Sequence, residues 1–297
     1  MRLSPQKLNK SLMYSARITR NNRTAFILLC DRSGSMAEEV VFEGERMTKA
    51  DAVARIINMF MDELVNRCRR EEGVRNYFDV AVIEYGGDGV IPLIPEKGGF
   101  ITTSELIKIP VEMRTIHMLR RLPDGNQVTA AIRRRQWITP KACGDTPMGA
   151  ALAEAERLVR AWCSRPCNVK SFPPVILNIT DGEASDACYM ELCDRAENIK
   201  NTGTGDGNTL LMNIHLMRRD ETAPPVIFPC SLEELPANPY ARLLWDMSSP
   251  MPGCYDRAIC EVKKGGIPPF RAMSYSCTLN ELFSMLTIGS VSGSVMS

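Results

Sequence analysis

Thr24-Ala-Phe-Ile-Leu-Leu-Cys30, running without a break into Asp31-Arg32-Ser33-Gly34-Ser35-Met36, is the stretch that decides the fold. Its first seven residues are almost all apolar, as expected of a strand covered on both faces and hence of a parallel sheet. The polar run after it is then a loop at the strand's carboxyl end, where open α/β sheets place their ligands. An aspartate with hydroxyls two and four residues later offers hard oxygen donors from one turn. That set suits Mg2+ or Mn2+ and not a soft metal. On its own, Asp-x-Ser-x-Ser also describes an ordinary polar turn.

Two later stretches narrow the choice. Gly144-Asp145-Thr146-Pro147-Met148-Gly149 opens a segment, 146–160, whose apolar residues recur at helical spacing. Val175-Ile-Leu-Asn-Ile-Thr180 reads as a second buried strand, and it ends in Asp181-Gly182-Glu183. In order and strand-end context the three pieces resemble the metal-ion-dependent adhesion site of the von Willebrand factor A (vWA) family. The resemblance covers roughly residues 22 to 288 and places Asp31, Ser33 and Ser35 in the first loop, Thr146 in the second and Asp181 in the third. It implies that the two serines and the threonine bind the metal directly, while the aspartates reach it through water. It also implies a doubly wound α/β fold: a mostly parallel six-stranded sheet with helices on both faces and one antiparallel edge strand.

The rest of the chain fits that frame. Residues 49–72 repeat apolar positions from Val53 to Cys68 at helical spacing, 77–85 reads as a strand, and a glycine-rich turn leads to 90–94, where Pro92 favours an edge position. A helix over 185–200, capped by Ser185 or Asp186, and a strand over 209–217 continue the βα rhythm. A short helix over 239–247, a strand over 269–275 and a closing helix over 279–288 finish it. Residues 1–22 form a basic, polar arm, 23–288 the vWA domain, and 289–297 a small polar tail.

Residues 96–145 are longer than a compact vWA domain needs. Two alternating stretches flank Pro123-Asp124-Gly125-Asn126 and read as an inserted hairpin. Basic residues outnumber acidic ones there, and Arg120, Arg121, Arg133, Arg134 and Arg135 are candidates for holding an acidic partner at the rim of the metal loop.

Composition bounds the alternatives. At 297 residues the chain can bury a full core without staples, and its net charge of +1 offers no bulk attraction for nucleic acid or membrane. No apolar run is long enough to span a bilayer. Eleven cysteines without a signal peptide suggest free thiols in the cytoplasm. Their spacing, with only His117 and His215 in the chain, argues against zinc.

The expected function is that of a protein-interaction module whose Mg2+ or Mn2+ is completed by a carboxylate of a protein partner. Within the vWA family the chain looks most like the intracellular tellurite-resistance-associated (TerY-like) group, on the strength of the 144–149 loop and Met247-Ser-Ser-Pro-Met-Pro252. That likeness implies a kinase, phosphatase or AAA+ ATPase as partner in a bacterial stress-response or defence system. The alternatives are a Mg2+-dependent phosphoryl-transfer enzyme, which lacks a lysine fixed by sequence beside the site, and a polyanion or nucleic-acid binder acting through the basic insertion.

Overall fold

A computed structural model describes residues 13–42, 44–87, 89–121, 127–217 and 224–290. The strands that build and surround the site are β1 (Thr24–Asp31), β2 (Glu39–Phe42), β3 (Glu45–Thr48), β4 (Phe78–Gly86), β5 (Gly89–Ile94), β6 (Ile101–Thr102), β7 (Glu112–Arg121), β8 (Gln127–Gln136), β9 (Val175–Thr180), β10 (Leu210–Leu216), β11 (Val226–Ile227) and β12 (Met273–Cys277). The main helices are α1 (Lys49–Cys68), α2 (Met148–Cys163), α3 (Tyr189–Lys200), α4 (Pro239–Met247), α5 (Asp256–Lys263) and α6 (Leu279–Ser290).

The central sheet runs β11-β12-β10-β9-β1-β4-β5, with β6 also paired to β4. β1 pairs in parallel with β4 on one side and β9 on the other, and β10 and β12 continue the parallel run. All eight residues of β1 are buried, as a strand flanked and covered on every side must be. Its side chains alternate between two cores. Phe26, Leu28 and Cys30 face α1 and α6, while Ile27 and Leu29 face α2, α3 and α4.

The sheet has eight strands where six were expected, and antiparallel strands close both edges. β5 and β6 lie against β4, and β11 lies against β12. β6 and β11 are two residues long, too short for any periodicity to register.

Other boundaries moved for local reasons. The stretch after Met36 is a β2–β3 hairpin and not a plain loop; its Val40, Val41 and Phe42 carry the β-branched and aromatic signal of a strand. α1 stops at Cys68, because Arg69–Val74 folds back as a small antiparallel ribbon. α3 starts at Tyr189 with Cys188 as its cap, because Ser185 and Asp186 are engaged elsewhere. The inserted hairpin forms as a β7–β8 ribbon in regular antiparallel register, and its Pro123–Asn126 turn lies outside the described residues. From Tyr14 the N-terminal arm lies along the body. The Tyr14 hydroxyl bonds Asn208, and Ile18 is buried.

Candidate metal centre

β1 and β9 are adjacent and parallel, so their carboxyl ends deliver Asp31 and Asp181 to the same rim of the sheet. Asp31 is 3% exposed. Its Oδ1 accepts the Ser33 backbone N–H at 2.7 Å, and its Oδ2 accepts the Thr180 hydroxyl at 2.6 Å. Burial pushes the Asp31 carboxyl above the usual range, with the nearby Asp181 adding to the shift and the hydrogen bonds from Ser33 and Thr180 opposing it.

The two serines of the first loop stand side by side, Ser33 Oγ lying 3.1 Å from Ser35 Oγ. Ser35 then donates to Asp181 Oδ1 at 2.6 Å, which ties the first loop to the third.

Thr146 comes from the loop before α2. Its backbone N–H donates to Ser185 Oγ at 3.1 Å, and Asp186 accepts the N–H groups of Gly149 and Ala150 at the start of α2. A carboxylate at a helix N-terminus satisfies orphan donors and complements the positive end of the helix dipole, so Asp186 fixes the second loop from the third. A side chain at Gly182 would stand 3.5 Å from Thr146 Oγ1 and 4.0 Å from Ser35 Oγ. Both hydroxyls therefore border Gly182. On the opposite flank the backbones of Gly87 and Gly144 touch: a Cβ on Gly144, whose φ is +66°, would meet Gly87 Cα at 2.3 Å. Gly34 N–H donates to Gly144 O at 2.9 Å and Cys143 N–H to Arg32 O at 2.7 Å.

Asp31, Ser33, Ser35, Thr146 and Asp181 are thus gathered in one place. Among the described residues no group of three or more His, Cys, Asp or Glu side chains is placed to hold a metal. The donors collected here are hydroxyls and two carboxylates, all oxygen, and that set fits Mg2+ or Mn2+.

The arginine run lies elsewhere. Arg134 and Arg135 reach Asp62 on α1 at 3.7 and 3.6 Å, and Arg133 is exposed. Asp62 is thirteen residues beyond Lys49, about 20 Å along the helix at 1.5 Å per residue. Arg120 and Arg121 pair through their backbones with Val128 and Gln127.

Sequence reasoning missed the side chain that closes the site. Lys49, the first residue of α1, is 1% exposed, and its Nζ donates to Asp181 Oδ2 at 2.7 Å and Glu38 Oε2 at 2.8 Å. Helical periodicity treats a lysine at a helix start as solvated. A signal was present only in its neighbours, since Thr48 and Asp51 form the capping box that fixes Lys49 one turn from the loop. Tyr240 was also missed: its hydroxyl bonds Gly182 O, and its ring stands edge-on to His215.

Among solved structures, the chain is similar to a von Willebrand factor type A protein from Catenulispora acidiphila (14% identity, TM-score 0.40, covering 66% of this chain and 33% of that one). It is similar to the manganese-loaded TRAP protein of Plasmodium vivax (15% identity, TM-score 0.41, covering 90% and 72%) and to the PilB minor pilin of Streptococcus sanguinis (11%, 0.43, 91% and 61%). The chain spans about a third of the Catenulispora protein. No protein-family model matches it, and no curated protein sequence does. The fold class itself rests on the strand order of the sheet.

None of the eleven cysteines is paired, and no helix of the described residues is long and apolar enough to cross a membrane.

Proposed function

We propose that the chain is a protein-interaction module that uses a divalent cation, Mg2+ or Mn2+, at the rim formed by Asp31, Ser33, Ser35, Thr146 and Asp181. The observation that supports this reading is the gathering of three hydroxyls from two loops beside Gly182, Ser33 next to Ser35 and both Ser35 and Thr146 within contact reach of that glycine. When bound, the ion supplies an electrophilic centre that a glutamate or aspartate of a partner completes. The chain's own part is to hold the hydroxyls in place: Asp31 anchors the first loop through the Ser33 N–H, and Ser35 joins that loop to Asp181.

The finer reading places the chain with the cytoplasmic TerY-like group, its partner a kinase, phosphatase or AAA+ ATPase of a bacterial stress or defence system. Arg133, Arg134 and Arg135 then contribute only for a partner broad enough to reach from the metal loops to the neighbourhood of Asp62 on α1. The test is binding of glutamate-containing peptides and of purified candidate partners in Mg2+ and in EDTA. Capture should need the metal and be lost in Ser35→Ala. Equal capture in EDTA would remove the metal from the interaction.

Lys49 is the one observation that favours a phosphoryl-transfer enzyme, which needs a fixed lysine beside its carboxylates. Asp31 argues the other way. It is buried and both its oxygens already accept hydrogen bonds, which leaves it poorly placed as a nucleophile. Mg2+-dependent turnover of an aryl phosphate, lost in Asp31→Asn, would reverse the ranking.

A further inference from the structure

A fully buried lysine is rare unless it is paired, and this one is paired at the point where the metal reading needs negative charge. Lys49 Nζ lies between two carboxylates from different loops, Asp181 at 2.7 Å and Glu38 at 2.8 Å. The two oxygens of Asp181 have different duties. Oδ2 takes the ammonium, while Oδ1 takes the Ser35 hydroxyl and so faces the site. Glu38 follows directly on the first loop, and its backbone O accepts the Lys49 N–H at 2.8 Å. The lysine is therefore fixed to that loop by main chain as well as side chain.

We infer that Lys49 is a resident cation of this centre, holding the first and third loops assembled without a metal and lowering the affinity for any divalent cation that enters. The inference rests on the metal-site reading above and extends it to regulation of that site. An ammonium fixed on one oxygen of Asp181 neutralises much of the charge a divalent ion would otherwise use, and it repels the ion across a poorly screened interior. The same contact spares the empty site the repulsion between Asp31 and Asp181, so the loops need not rearrange when the ion leaves. The centre is then tuned for weak, reversible metal binding, to be tightened by a partner's carboxylate.

The test uses the full chain and Mn2+ as probe, with affinity read by electron paramagnetic resonance and stability by thermal unfolding in EDTA. Lys49→Met keeps most of the length of the side chain and removes its charge. It should lower the melting temperature in EDTA yet tighten Mn2+ binding by about tenfold or more. Lys49→Arg, which keeps the charge, should restore weak binding. A purely structural lysine would give the loss of stability without the gain in affinity, so unchanged or weaker Mn2+ binding in Lys49→Met overturns the inference.

If Lys49→Met does not fold, Glu38→Gln serves instead. It leaves the ammonium wholly to Asp181 and should weaken Mn2+ binding severalfold; tighter binding there contradicts the inference. Ser35→Ala separates the two levels of the argument. Mn2+ binding in wild type that Ser35→Ala abolishes and Lys49→Met leaves unchanged sinks the role of Lys49 alone. No Mn2+ bound by wild type or by Lys49→Met sinks the metal site with it.

Discussion

Asp181 and Asp62 are both acidic residues held by basic side chains from another element, and they differ in nearly everything else. Asp181 is completely buried and receives a buried ammonium at 2.7 Å. The Asp62 side chain is 10% exposed and stands 3.7 and 3.6 Å from two guanidiniums that are each about a third exposed, 30% and 31%. In the first pair neither ion can return to water without opening the site, whereas in the second the arginines keep part of their contact with water. Sequence charge counts treat the pairs alike, yet the interaction at Asp181 joins the first and third loops and the one at Asp62 only rests a ribbon on a helix.

The difference can be measured as stability. Asp181→Ala in EDTA leaves Lys49 buried with Glu38 as its remaining carboxylate, and breaking such a pair should cost roughly 3–5 kcal/mol in chemical denaturation. A loss under about 1 kcal/mol would place the pair with ordinary surface contacts.

Asp79 supplies an intermediate case. It is 2% exposed and accepts the Trp162 indole N–H at 2.8 Å and Arg23 at 2.9 Å, the arginine side chain being 28% exposed. Arg23→Ala removes one of two charge-assisted bonds and should cost roughly 1.5–3 kcal/mol. An effect as large as that of Asp181→Ala would show that burial of the cation does not set the scale.

Asp62→Asn should be the mildest change, within about 1 kcal/mol at neutral pH. Its pH dependence has a definite sign. Burial raises the Asp62 carboxyl above its usual range, with Arg134 and Arg135 only partly opposing the rise. A carboxyl raised in the folded state binds its proton more tightly there, so its contribution to stability falls as pH rises through the ordinary carboxylate range and up to the raised value. Asp62→Asn removes that titration. Its stability relative to wild type should therefore improve as pH rises from 4 to 7, and the opposite slope would mean that the arginines hold Asp62 as a strong ion pair.

The same contrast separates what the sequence disclosed from what it hid. The meeting of Asp31, Ser33, Ser35, Thr146 and Asp181 at one rim was legible because each lies at a strand end or before a helix start, positions marked by apolar periodicity. The parallel core strands were legible because burial on both faces writes a continuous apolar run. Lys49 was hidden because its partners, Glu38 and Asp181, are brought to it by the β2–β3 hairpin and by β9 lying beside β1. No periodicity records such a meeting. Arg134 and Arg135 show a related effect: following the chain from 135 to 146 suggests nearness to Thr146, but both arginines stand against Asp62, about two-thirds of the way along α1.

The central claim is that Thr146, Ser33 and Ser35 present their hydroxyls to one divalent ion. Thr146→Val tests it most directly, because it keeps the shape of the side chain and leaves the backbone bond to Ser185 in place. With Mn2+ followed by electron paramagnetic resonance, wild type should bind one ion, and Thr146→Val should weaken that binding by about tenfold to a hundredfold while unfolding normally in EDTA. Mn2+ binding by Thr146→Val equal to that of wild type would contradict the account.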